Sequence, residues 1–125
     1  MKAEFIDVVC LPVNDPERAK SFYTEVLGFT VVRDTRGGPL HSRWIELGPE
    51  GAKTTIALVE AQSRRSQYPV EGLVLKVSNL EQARARLVHY GCRPKEISRE
   101  TWGLHLTVND PDGNGWVLVE HEITV

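Results

Sequence analysis

The feature that most constrains this chain is a spacing. Gly28 and Gly91 each close a stretch of helical periodicity and stand 63 positions apart, and the candidate helix starts at Asp15 and Ser78 are separated by the same 63 positions. In the first stretch Asn14 or Asp15 can cap the helix and Pro16 suits its first turn, while Ala19, Phe22, Tyr23 and Val26 fall on one face. In the second, Ser78 and Glu81 have the spacing of a capping box, and Leu80, Ala83 and Leu87 form the apolar stripe. A β-branched apolar run precedes each helix, "EFIDVVCLPV" and then "VEGLVLKV". Three strand-like runs follow each: "FTVVR", "SRWIEL" and "TTIALVE" in the first half, "RPKEIS", "LHLTV" and "WVLVEHE" in the second. The expectation is an α+β fold of two βαβββ modules, about 1–61 and 68–125, joined by a polar linker at 62–67 within one domain. Side-chain identity between the halves is weak, so the repeat rests on order and spacing.

Composition narrows the function classes. A net charge of -2 offers no basic footprint for nucleic acid or an anionic membrane. No apolar run approaches the roughly 18 residues of a membrane span, and the N-terminus lacks a signal-peptide cleavage pattern. Cys10 and Cys92 are too few for a disulfide framework, so a cytoplasmic protein with reduced thiols is expected.

Two stretches carry a family resemblance. "VNDPERAKSFYTEVLGF" resembles the V-x-D-x-x-x-A-x-x-F-Y-x-x-x-L-G-F signature of the vicinal oxygen chelate superfamily, and "NDPDGNGWVLVE" resembles its closing turn and last strand. That superfamily includes glyoxalases, bleomycin-resistance proteins and extradiol dioxygenases. The resemblance implies paired modules whose strands curl into an open, cup-shaped mixed sheet with the helices outside. In the metalloenzymes of the group, His, Glu, Gln or Tyr on the first, fourth, fifth and last strands hold a divalent metal. Counted from the motifs, those four places carry Val8, Ala57, Gly72 and Val117 here, none of which is a ligand. No metal and no cofactor are therefore expected.

The turn "DPDGN" has D-x-D-x-N spacing that mimics the start of a calcium loop, but the twelfth position falls on His121 where a Glu is required. Asp110, Asp112 and Asn114 are read instead as turn builders bonding nearby backbone.

Candidate site residues follow from strand alternation and from the resemblance. His105 and Thr107 share one strand face, opposite Leu106 and Val108, and would look into the cup if the latter pack under the helices. Cys10, two after Val8, is on the inward face and reads as a small buried thiol before a nucleophile. One of Arg43 and Trp44 should face inward. Arg43 would grip a ligand's carboxylate or phosphate with two prongs, or form a surface ion pair. Trp102 opens the seventh strand and is a candidate cavity lid. Trp116, beside the inward Val117, is expected to pack against a helix. His41 is placed near the mouth, His89 near the C-terminal end of the second helix, and His121 in the last strand. The lining expected for the cup is Val8, Cys10, Ala57, Gly72, Val74, His105, Thr107, Val117 and Val119, with Cys10, Arg43, Trp44, Trp102, His105 and Thr107 as ligand contacts.

A small, mostly apolar lining suits a flat organic molecule. The leading expectation is a metal-independent binding protein for a small aromatic or antibiotic-like ligand, working as a homodimer. Bleomycin itself is disfavoured, because it is cationic and this chain is close to neutral. The alternative is a glyoxalase-like isomerase or lyase, or a dioxygenase-like enzyme, with a shifted metal site or with acid–base chemistry from His105 and Glu60 or Glu120. A plain interaction module is a third reading.

Overall fold

The structure is a computed structural model that describes residues 1–36, 43–61 and 68–121. The chain divides into two compact units, Met1–Pro69 and Val70–Val125. The position of His41, the linker 62–67 and the last four residues lie outside the described segments.

In the first unit, β1 (Val8–Val13) leads into α1 (Pro16–Ser21), followed by β2 (Thr30–Thr35), β3 (Trp44–Gly48) and β4 (Thr55–Glu60). The sheet order is β1-β4-β3-β2, with β1 parallel to β4 and the other pairs antiparallel. Cross-strand partners present side chains to the same face, so register sorts the residues. Leu11 pairs Leu58, Leu58 pairs Ile45, and Ile56 pairs Leu47. These apolar residues are buried together with Val13, Ala19, Phe22 and Tyr23 and form the core beneath α1.

The expected single helix ending at Gly28 is observed as two pieces. Asp15 caps α1 by accepting from Glu17 and Arg18 N–H, but after Ser21 the chain widens into a π-helix over Phe22–Val26. Leu27 N–H reaches back five residues to Phe22 O, and the Thr24 hydroxyl donates to Lys20 O. A hydroxyl competing for those carbonyls loosens the α-ladder. The widened turn keeps Phe22, Tyr23 and Val26 buried, with Tyr23 edge-on to Phe22 at 5.1 Å. Gly28 then ends the segment at φ +72, a left-handed value open to glycine at little cost.

The first strand is shorter than expected. Met1–Asp7 is exposed coil, joined to the sheet edge by Thr55 N–H on Asp7 O and the Thr54 hydroxyl on Ile6 O.

The second unit repeats the order: β5 (Leu73–Lys76), α2 (Leu80–His89), β6 (Ser98–Glu100), β7 (Gly103–Asn109) and β8 (Gly115–His121), arranged β5-β8-β7-β6. Each unit is thus a βαβββ module with an unclosed four-stranded mixed sheet. Leu80, Leu87, Leu106, Val108, Trp116 and Leu118 are buried where α2 lies on β7 and β8, which places Trp116 on the helix side as expected. Gly91 closes the helix at φ +82.

Two expectations are corrected here. The cap of α2 is Asn79, whose side chain accepts from Gln82 N–H, and the Ser78–Glu81 box does not form, because Glu120 Oε1 takes the Leu80 N–H and shifts the first turn. The sixth strand spans only Ser98–Glu100, since Pro94 cannot donate to a ladder and 93–97 runs irregularly.

Candidate functional site

The face of each sheet turned away from its helix carries most of the candidate residues. In the first unit that face holds Cys10 and Ala57, which are paired in register, with Glu46 opposite Ala57 on the next strand and Trp44 and Thr55 two residues along. Trp44, Thr55 and Ala57 are buried, Glu46 is half-buried and Cys10 is exposed. Cys10 was expected to be buried. It lies on an edge strand beside a small neighbour, Ala57, which leaves it open. Partial burial first, and the Glu46 charge second, push its thiol above the usual range, so it is held protonated.

Glu46 organises this face. Its Oε1 accepts from Trp44 Nε1 at 3.1 Å and its Oε2 from the Thr55 hydroxyl at 2.9 Å. The sequence reading missed it, although W-x-E places Trp44 and Glu46 on one face by simple alternation.

The choice between Arg43 and Trp44 is resolved by β2. Asp34 pairs Ile45 and so lies on the helix side, where Arg43 Nε and Nη2 grip its two carboxylate oxygens at 3.0 and 2.9 Å. Arg43 also pairs with Glu17 of α1, and Lys20 reaches Asp34 at 2.8 Å. The two-pronged grip thus closes on carboxylates of the chain itself, while Trp44 takes the open face. The Arg43 and Lys20 hydrogen bonds hold the Asp34 carboxyl well below the usual carboxylate range, and Asp34 and Glu17 raise the Arg43 guanidinium further.

In the second unit the open face carries His105 and Thr107, which pair Val119 and Val117, together with His121 opposite Gly103 and Ser98 opposite His105. Trp102 sits in the two-residue turn between β6 and β7, not at the head of a strand, and folds back over this face. Its ring stacks on His105 with centroids 5.7 Å apart and planes 29° apart, and it meets His121 edge-on at 6.2 Å. Glu100 Oε1 is 3.9 Å from His105 Nδ1, too far for a hydrogen bond. Among the described residues Nδ1 is buried without a hydrogen-bond partner. Glu120 cannot serve His105 as an acid–base partner: it pairs Leu104 on the helix side and holds the α2 N-terminus.

The acidic turn is a structural knot. Asp110 Oδ1 accepts from Asp112 and Asn114 N–H and Oδ2 from Asn114 Nδ2, all at 2.8 Å. Asn114 Oδ1 accepts from Val70 N–H, tying the turn to the start of the unit, and Gly113 takes φ +86. Among the described residues no group of three or more His, Cys, Asp or Glu could hold a metal ion. The aliphatic Val8, Ala57 and Val117, and Gly72, have no donor atom to offer one, so these residues do not fit the metal that the fold implies. A groove of about 370 Å³ beside α2 is lined by Glu81, Arg84 and Glu96, with the Arg84–Glu96 ion pair forming part of its wall. No helix among the described residues is long and apolar enough to cross a membrane.

The family model for the glyoxalase/bleomycin resistance protein/dioxygenase superfamily matches residues 5–118. The crystal structure of TnmS3, an antibiotic binding protein from Streptomyces sp. CB03234, is 31% identical with a TM-score of 0.88, covering 98% of this chain and 99% of that one. A glyoxalase/bleomycin resistance protein from the same organism is 32% identical with a TM-score of 0.79, covering 92% and 99%. The uncharacterised protein YetH of Bacillus subtilis (strain 168) is 28% identical over 92% of this chain and 97% of its own length.

Proposed function

The chain belongs to the glyoxalase/bleomycin resistance protein/dioxygenase superfamily, and from that premise we propose that it captures a small planar organic molecule without a metal. The observation that carries this reading is the His105 Nδ1, buried beneath the Trp102 ring and unpartnered among the described residues. A buried polar atom left without a hydrogen bond costs about 1–3 kcal/mol, so a water, an ion or a ligand group that reaches it is favoured. A flat ligand with a hydroxyl or carbonyl would stack on indole and imidazole while its polar atom met Nδ1, with Thr107 beside it. On the other sheet, Trp44 and Cys10 offer a second apolar surface next to Glu46. The likeness to an antibiotic-binding protein supports capture over turnover. So does the placement of two nearby carboxylates: Glu120 serves the α2 N-terminus and Glu100 is out of hydrogen-bond reach of His105 Nδ1, so neither orients that imidazole for general-base work.

We further propose that the chain acts as a homodimer in the cytoplasm. Exposed Phe5, Ile6 and Val74 supply apolar surface for a second copy, and Cys10 and Cys92 are both free thiols.

The test is a tryptophan-fluorescence titration of chelator-treated protein with a panel of planar polyaromatic compounds, followed by recovery and mass analysis of the bound compound. Saturable binding at one molecule per site, unaffected by added zinc, nickel or manganese and with the compound recovered intact, is expected. Binding that appears only with metal, or a chemically altered compound, would overturn the reading in favour of an isomerase, lyase or dioxygenase.

A further inference from the structure

We propose that Glu46 is a recognition carboxylate that selects planar ligands carrying a cationic hydrogen-bond donor, such as an aromatic amine or amidine. The inference rests on the capture reading above and names the ligand chemistry of that function.

Glu46 lies on the open face of β3, and its two oxygens are oriented by Trp44 Nε1 and the Thr55 hydroxyl. Both donors are neutral and each uses one lone-pair direction, so a carboxylate with about four such directions keeps two for a further partner. Among the described residues no cation pairs with it. Arg33 stands directly opposite in register and is exposed, but it makes no ion pair with Glu46. Asp34, on the helix side of the same sheet, is by contrast paired with both Arg43 and Lys20.

The surroundings are those of a ligand surface. Ala57, buried, and Cys10, exposed, are the small neighbours of Glu46 in register, and the Trp44 indole is anchored by the same carboxylate. Partial burial first and the Glu46 charge second push the Cys10 thiol above its usual range. A charge fixed by two donors is preorganised, and it spends no side-chain entropy on meeting its partner. Were Glu46 only a pin between β3 and β4, a glutamine would serve as well, since the carbonyl oxygen and amide still bridge Trp44 and Thr55.

The test compares two planar probes, the cation proflavine and the anion anthraquinone-2-sulfonate, titrated into the full chain and read by tryptophan quenching and dye absorbance. Wild type is expected to prefer proflavine by about tenfold, the size of one charge-assisted hydrogen bond. Glu46→Gln should abolish that preference by weakening proflavine alone. Arg33→Gln, an exposed change that leaves the sheet packing intact, should strengthen proflavine by removing a like charge. Binding of both probes with no change of preference in Glu46→Gln, or no strengthening in Arg33→Gln should Glu46→Gln not fold, overturns the role of Glu46 and leaves capture standing. Binding of neither probe to wild type overturns the capture reading, and this inference with it.

Discussion

Trp102 covers His105. The indole lies 5.7 Å from the imidazole centroid, and 47% of Trp102 is exposed although Nδ1 of the ring beneath it is buried. An exposed aromatic held over an unsatisfied polar atom contributes little to folding, so its effect should be visible in binding.

Replacing Trp102 by Ala should leave the melting temperature within about 2 °C of wild type, because the ring is half in water. The affinity for a planar ligand should fall about tenfold, the upper end of one aromatic stacking contact. Fluorescence titration beside a thermal melt checks both. A large loss of stability with unchanged affinity would make Trp102 a packing residue.

His105→Phe separates the ring from its nitrogen. It keeps an aromatic surface under Trp102 and removes the unpartnered Nδ1, so stability should hold or rise by about 1 kcal/mol. Ligand affinity should drop, since no polar atom remains to meet the ligand. Urea unfolding of both proteins gives the first quantity and titration the second. If His105→Phe destabilises strongly, Nδ1 is paired in solution and His105 is a structural residue.

The Asp34–Arg43–Lys20 cluster gives a pH dependence. The folded carboxyl titrates below its unfolded value, which is about 3.9. The stabilisation is therefore fully present above that unfolded pKa, and it is lost as pH falls through it toward the depressed folded value. Asp34→Ala should cost about 1 kcal/mol near neutrality, a modest figure because the pair is partly solvated. The gap to wild type should narrow as the pH is lowered from about 5 to 3. Parallel unfolding curves at several pH values measure it, and a gap that stays constant would remove Asp34 from the acid limb.

The order of strands and helices was legible because two helix-ending glycines, Gly28 and Gly91, both take positive φ and repeat at one spacing. The faces of β7 were legible too, since alternation alone puts His105 and Thr107 opposite Leu106 and Val108. Other features were hidden for physical reasons. The π-turn at Phe22–Val26 shifts hydrogen bonding without disturbing the apolar stripe, so periodicity does not reveal it. The fate of Arg43 depends on Asp34 and Glu17, brought to it by strand pairing and by α1. Glu46 looks like any polar strand residue until the Trp44 and Thr55 donors are seen to converge on it. The α2 cap moved by one residue because Glu120, 40 positions away, claims the first free N–H.

The acidic turn yields the sharpest distinction between structure and metal chemistry. Asp110 is 5% exposed and Asn114 fully buried, and the Asp110 carboxylate accepts two backbone N–H groups and the Asn114 amide. Asp110→Ala strands those donors in the interior, at roughly 1 kcal/mol or more for each, so a loss of about 3 kcal/mol is expected. The damage should reach the start of β5, because Asn114 also holds Val70 N–H. Asp110→Asn should recover part of the loss by keeping one acceptor oxygen for Asp112 and Asn114 N–H. A turn whose carboxylate is already engaged in this way has little to give a cation, so millimolar calcium should not move the melting temperature of the wild type. A calcium-dependent rise that disappears in Asp110→Asn would show the carboxylate to be a ligand and the turn to be its loop.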